Sequence, residues 1–513
     1  MIAKVLSGAV LGVDAYLVEV EVDVAQRGLP KFSIVGLPEE AIRESKDRVK
    51  TAIVNMGYKF PSRRITVNLA PANRKKEGTS FDLPIALGIL AATMRAGTDR
   101  RGSFLFVGEL SLDGQVKAVR GALAMALSAH TMGLQGIVVP VANAAEAGVV
   151  EGIKVLSVEN LAMAVDFVFG TRELPQHCVD IASFFKRHST HSLDLADVRG
   201  QSMAKRAVEI AAAGGHNLVF VGPPGSGKTM LARRIPTVLP PMTLEEALET
   251  TKIYSIAGLL DAETPLIVER PFRCPHHNVS DAGLIGGGSI PKPGEISLAH
   301  NGVLFLDELT EFRKNVLELL RQPLEEGELT IARSAVSVKF PARMMFVGAM
   351  NPCPCGYLGD PIHPCACTPQ QLQRYRSRLS GPLIDRIDVH VEVPRVPYKD
   401  LVGTDARPTT SREVQDRVCR ARAIQTKRFE GLPFASNAHM GPKEISLYCR
   451  PGPRGMALIE RAVEGLGLSA RAYSRILKVA RSIADLDGSP SVETAHIAEA
   501  IQYRLLDRQA DGP

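Results

Sequence analysis

Apolar positions along the chain recur in two periods. Val18, Val20, Val22 and Val24 alternate with Glu19, Glu21 and Asp23, which is the period of a strand with one face buried. The stretches Glu40 to Val54 and Leu83 to Thr93 read as helices instead. Two short runs contain no polar residue at all: Leu218-Val219-Phe220-Val221 and Val303-Leu304-Phe305-Leu306. Such runs suit strands buried in a parallel sheet, covered on both faces. From Ser411 onward the pattern is helical again. The expected class is α/β, divided into an α+β region over 1–170, a polar linker over 171–195, a parallel-sheet core over 196–395 and a helical lid over 396–513.

Both apolar runs end in residues that carry chemistry. Gly222-Pro223-Pro224-Gly225-Ser226-Gly227-Lys228-Thr229 fits the P-loop pattern G-x-x-x-x-G-K-[ST] in a strand, turn and helix context. Glycines let backbone N–H groups curl around phosphate oxygens, and the following helix N-terminus adds a favourable field. Lys228 then reaches the β- and γ-phosphates, and Thr229 is placed to ligate Mg²⁺. The second run ends in Asp307 and Glu308. Asp307 suits a Mg²⁺ held through water, and Glu308 suits the polarisation of an attacking water. The expected cofactors are ATP and Mg²⁺.

Composition narrows the setting. A chain of 513 residues, 45% hydrophobic and 23% charged, has room for about three domains. A net charge of +6 permits contact with nucleic acid without requiring it. Asp14, Glu19, Glu21 and Asp23 interrupt the apolar start, and no uncharged run is long enough for a bilayer span, so a cytoplasmic location is expected. In that compartment the eight cysteines should be reduced. Cys353-x-Cys355 and Cys365-x-Cys367, set among Pro352, Pro354, Gly356, Pro364 and Pro369, then form two thiolate pairs for one structural Zn²⁺. The alternatives are four packed thiols, or His363 replacing one cysteine as a ligand. Cys178, Cys274, Cys419 and Cys449 read as packing residues, and His276-His277 as a structural pair.

The Gly/Pro-dense interval from Arg270-Pro271-Phe272-Arg273-Cys274-Pro275-His276-His277 through Gly283 to Glu295 cannot be a plain helical crossover. This interval, with Asn301 to Glu308, resembles the magnesium-chelatase-like AAA+ ATPases. Leu320-Arg321-Gln322-Pro323 and Asn351-Pro352-Cys353-Pro354-Cys355-Gly356 are similar to their YifB/ComM branch. The resemblance implies that Asn351, after a strand over 345–350, orients the lytic water. Arg386 resembles an arginine finger offered to a neighbouring subunit, with Arg376 and Arg378 as rivals, and Arg471 matches the lid arginine called sensor 2. A finger supplied in trans implies a homo-oligomeric ring, by family likeness a hexamer. Lys292 in the insertion, and Arg333 and Lys339 in a hairpin over 329–341, become candidates for DNA phosphates. The basic stretch with Arg412, Arg417, Arg420, Arg422, Lys427 and Arg428 reads as a solvated face first.

Residues Lys76 to Pro84 and Val107 to Gly114 resemble the Lon-protease fold, with Ser80 near its nucleophile. The place of its lysine falls at Leu123 or close by, and a serine without a base is a poor nucleophile. The expected activity is therefore an ATP-driven ring motor on DNA, unwinding or branch-migrating it, as the resemblance implies for natural transformation. A chelatase-type motor acting on a protein partner and an ATP-dependent protease module are the alternatives.

Overall fold

The computed structural model of the protein describes residues 2–27, 29–94, 100–187, 192–261, 264–288, 291–332, 337–397, 408–504 and 506. They form two compact units: Met1–Arg187 with Leu244–Val268, and His188–Thr243 with Glu269–Pro513.

In the first unit the alternating valines do what their period requires. Val18, Val20 and Val22 are fully buried in the strand Asp14–Val24, and Lys4 on the paired strand Ile2–Leu11 meets Glu19 at 3.1 Å and Glu21 at 3.0 Å on the other face. These strands belong to an eight-stranded mixed sheet ordered Gln176–His177, Lys154–Val158, Gly136–Pro140, Phe104–Phe106, Ile2–Leu11, Asp14–Val24, Arg64–Ala70, Lys31–Val35. The helix Asp82–Thr93 is apolar nearly all round because it is covered nearly all round, by both central strands and by the helix Glu40–Asn55. Gly88 permits that approach, since a Cβ there would lie 2.5 Å from Val22 Cγ2. The helix Leu244–Ala257 packs on Ala122–Thr131 in this same unit, with Ser255 donating to Glu146. The two units are thus interleaved along the chain. Within 171–195, Gln176–His177 extends the sheet edge and Ile181–Arg187 is helical.

The second unit contains a five-stranded parallel sheet ordered Phe272–Arg273, Val303–Leu306, Met345–Met350, Leu218–Val221, Val389–Glu392. The polar-free runs are its buried interior strands. Because all five run the same way, their carboxyl ends share one edge, where ligands gather in open α/β sheets. The segment after Ser411 is helical, and Ser411–Arg428 and Ala470–Leu486 pack on the helix Ser202–Gly214. No helix among the described residues is long and apolar enough to cross a membrane.

A buried polar network ties the sheet to these helices. His216, just before the P-loop strand, places Nδ1 3.1 Å from Asp388 Oδ2 and Nε2 2.7 Å from Ser482 Oγ, while Arg475 pairs with Asp388 at 2.5 Å. Burial opposes ionisation of Asp388, but the Arg475 guanidinium and then His216 hold its carboxyl well below the usual carboxylate range. Its contribution to stability is therefore complete above the unfolded aspartate range, about pH 4, and is lost as the solution is acidified below it. Asp388→Ala leaves Arg475 and His216 without their carboxylate and should lower stability by about 3 kcal/mol. Urea unfolding at neutral pH checks this, and an unchanged midpoint would contradict it.

Candidate active site

The P-loop strand delivers Gly222 against the neighbouring strand end so closely that a Cβ there would lie 2.1 Å from Val393 O. Gly225 and Gly227 have φ of +75° and +94°, with open space where a side chain would stand. Both glycines line a pocket of about 600 Å³, together with the rest of 224–230, Asp307, Glu308, Asn351 and Tyr375 among others. Lys228 is buried at the start of the helix Lys228–Ala232. Its Nζ donates to Gly222 O at 2.7 Å, Pro223 O at 2.8 Å and Asn351 Oδ1 at 3.3 Å. Burial pushes the ammonium below its ordinary range, and the charges of Asp307 and Glu308 offset part of that. An anionic phosphate would supply the missing counter-charge.

Thr229 Oγ1 donates to Asp307 Oδ2 at 2.7 Å, which brings together the two oxygens that could hold Mg²⁺. Glu308 follows in a left-handed conformation, φ 52°, and its carboxylate stays exposed toward the pocket. His277 Nδ1 lies 3.6 Å from Glu308 Oε2, and the His276 and His277 rings sit 4.1 Å apart. The histidine pair therefore stands beside the acidic turn.

Immediately beyond Asn351, the sulfurs of Cys353, Cys355, Cys365 and Cys367 all lie within 4.8 Å of one another. Cys353 is 3.3 Å from Cys355 and 3.7 Å from Cys365, and Cys355 is 3.6 Å from Cys365. Four sulfurs at about 2.3 Å from one tetrahedral zinc would stand about 3.8 Å apart, so this donor set fits that ion. His363 is not in the group, and its ring stacks on Tyr357 at 5.1 Å.

Comparison with known proteins agrees with the geometry. The family model described as magnesium chelatase, subunit ChlI, matches residues 194–401, and two further models of that subunit match 20–143 and 408–504. Competence protein ComM of Haemophilus influenzae is 46% identical over 99% of this chain and 98% of its own length. The chain belongs to the magnesium-chelatase family, in its ComM/YifB branch. The Escherichia coli protein YifB is 43% identical over 98% of this chain and 96% of its own, whereas the magnesium-chelatase 38 kDa subunit of Rhodobacter capsulatus is 24% identical over 58% of this chain and 81% of its own. Membership of this AAA+ family implies ATPase activity with ATP and Mg²⁺.

Within this pocket the structure gathers Lys228, Thr229, Asp307, Glu308 and Asn351. It does not gather the arginines. Arg386 pairs with Glu325 and donates to Pro382 O at 2.7 Å, and Arg471 stands 3.6 Å from Asp385; neither lines the pocket. Arg378 is held at the rim by Thr310 O at 3.0 Å and Glu311 at 2.8 Å. Lys292 is exposed on a short strand paired with Gly286–Gly287, and Lys339 is exposed on the hairpin strand Ser337–Pro341, 3.0 Å from Glu328. Arg333 lies outside the described residues. Sequence reasoning missed Tyr375, whose hydroxyl donates to Asn351 O at 3.1 Å and accepts from Thr310 Oγ1 at 2.8 Å. Nothing in the pattern of its helix, Pro369–Arg376, distinguishes it.

Lys228→Ala should weaken ATP binding on the order of 10- to 100-fold, the worth of a charge-assisted hydrogen bond. Titration with a fluorescent ATP analogue measures it. Glu308→Gln should bind ATP as before and lose turnover, and normal turnover in that variant would refute its role as the group that polarises water.

Proposed function

We propose that the protein is a ring-forming, ATP-driven motor acting on DNA, unwinding or branch-migrating it in natural transformation and recombination. The observation that carries the motor reading is the convergence of Lys228, Thr229, Asp307, Glu308 and Asn351 on one pocket at the carboxyl edge of the sheet. In this reading Lys228 and the loop 222–229 bind the phosphates, Thr229 and Asp307 hold Mg²⁺, Glu308 polarises the attacking water and Asn351 orients it. Mg²⁺, when bound, neutralises charge on the β- and γ-phosphates.

The DNA reading is supported by the relative named competence protein, matched end to end. Lys292, Lys339 and Arg333 are then the cations for a passing backbone. The Lys339–Glu328 pair is an exposed surface contact, readily exchanged for a phosphate. Arg386 is the group offered to the next subunit of a homo-oligomeric, hexameric ring, which suits a side chain that pairs with Glu325 and does not line its own pocket. The C-terminal helices act as a lid, with Arg471 swinging from Asp385 to nucleotide as it closes. The first unit is a Lon-like scaffold without peptidase activity. In support, Leu123 is fully buried, its N–H donating to Glu146 at 2.9 Å. The four cysteines hold one structural zinc.

ATP turnover should rise severalfold with single-stranded or forked DNA. No stimulation, together with no gel shift at low salt, would overturn the DNA reading and favour a protein partner. Arg386→Ala should lose roughly 10³-fold or more of assembled-ring turnover. Mixing it with Lys228→Ala should restore part of that, because each variant supplies the half-site the other lacks; a mixture as inactive as either variant would contradict the trans role.

A further inference from the structure

The cysteine cluster and the phosphate pocket share one loop. It leaves the sheet at Asn351, whose side chain accepts from Lys228 at 3.3 Å, and passes through Cys353 and Cys355. It returns through Cys365 and Cys367 to Thr368, which caps the helix Pro369–Arg376 by accepting from Gln371 N. At the end of that helix Tyr375 comes back to Asn351 O at 3.1 Å and to Thr310 at 2.8 Å, on the turn beyond Asp307 and Glu308. The loop also rests on the P-loop itself. Gly356 has φ +86°, and a Cβ there would lie 2.6 Å from Pro224 Cδ; Pro354 lines the pocket.

Between Asn351 and Pro369 the chain has no helix or strand, so no ladder of backbone hydrogen bonds fixes its path. Ordering such a segment opposes a large conformational entropy, and a metal joining residues ten and more positions apart is an efficient way to close it. We propose that the four-cysteine site is a positioning element of the ATPase: bound zinc fixes the 351–375 loop so that Asn351 stands at the phosphate pocket. This rests on the ATPase reading of that pocket and on zinc as the ion the thiolates hold. Lys228 has two further acceptors in its own loop, Gly222 O and Pro223 O, so the cluster should govern turnover more than nucleotide affinity.

The test measures zinc content, nucleotide affinity and turnover separately on the full-length protein. Wild-type protein should carry about one zinc per chain. Stripping it with a chelator, or the double variant Cys365→Ser/Cys367→Ser, should lower kcat by about tenfold or more with the Kd for a fluorescent ATP analogue changed less than about threefold. Added Zn²⁺ should restore the stripped wild type. Tyr375→Phe should lower kcat in the same direction while retaining zinc, because it loosens the loop's return without touching the thiolates. Should the double variant fail to fold, the stripped wild type, with its fold checked by circular dichroism, carries the comparison. A folded, zinc-free protein with unchanged kcat overturns the proposal while leaving the zinc reading intact. A fall in affinity that matches the fall in turnover also overturns it, since the cluster would then serve binding. Wild-type protein without zinc overturns it at the metal, and wild-type protein without any ATP turnover overturns it together with the ATPase reading.

Discussion

A lysine ammonium buried among neutral oxygens is the interaction on which the nucleotide-binding unit turns. Lys228 is held by two carbonyls of its own P-loop and by the Asn351 side chain from the adjoining strand. None of these partners carries a full negative charge, so the site keeps a cation in a place that disfavours charge. The arrangement is stable because the loop around it is over-determined: Gly222 is pressed against Val393 O, and Gln201 Nε2 ties Ser226 O to Pro394 O at 3.1 and 2.6 Å. A phosphate entering the cradle gains the attraction that the protein itself withholds.

The parallel sheet makes this economical. Leu218–Val221, Val303–Leu306 and Met345–Met350 lie side by side, so strand pairing brings the start of each following segment to one edge of the sheet. The C-terminal helix Ala470–Leu486 is tied to the segments flanking the same sheet through His216, Asp388, Ser482 and Arg475, and the C-terminal helices are tied to one another through Asp485, which receives Arg428 at 2.5 Å and Asn437 at 2.8 Å. Those helices are therefore tied to the segment leading into the strand Val389–Glu392, which begins three residues after Arg386. In the motor proposed above, such a tie would let changes at the nucleotide site reach these helices.

Much of this was legible in one dimension, and the reasons are specific. The alternating valines of 18–24 could bury one face only as a strand. The Gly222–Thr229 octapeptide admits few backbone paths, two of its glycines needing left-handed φ. The two C-x-C pairs converge as their spacing anticipates. The basic helix reads differently in three dimensions: Arg417 pairs with Glu209, Arg422 donates to Ala212 O at 3.1 Å and Arg428 meets Asp485, so part of the charge taken as solvated secures helix packing. Helical periodicity could not reveal that, because the partners lie some 60 to 200 residues away.

What the sequence determined by itself is local: strand and helix periods, the phosphate loop, the carboxylate pair and the thiol pairs, each set by residues close together in the chain. Tertiary structure decided which of these meet. It placed Leu244–Ala257 in the first unit although it lies between the two nucleotide motifs, brought Tyr375 to Asn351 and His277 to Glu308, and kept Arg386 and Arg471 out of their own chain's pocket. These outcomes depend on strand order and side-chain packing between distant segments, and neither is encoded in any short stretch of residues.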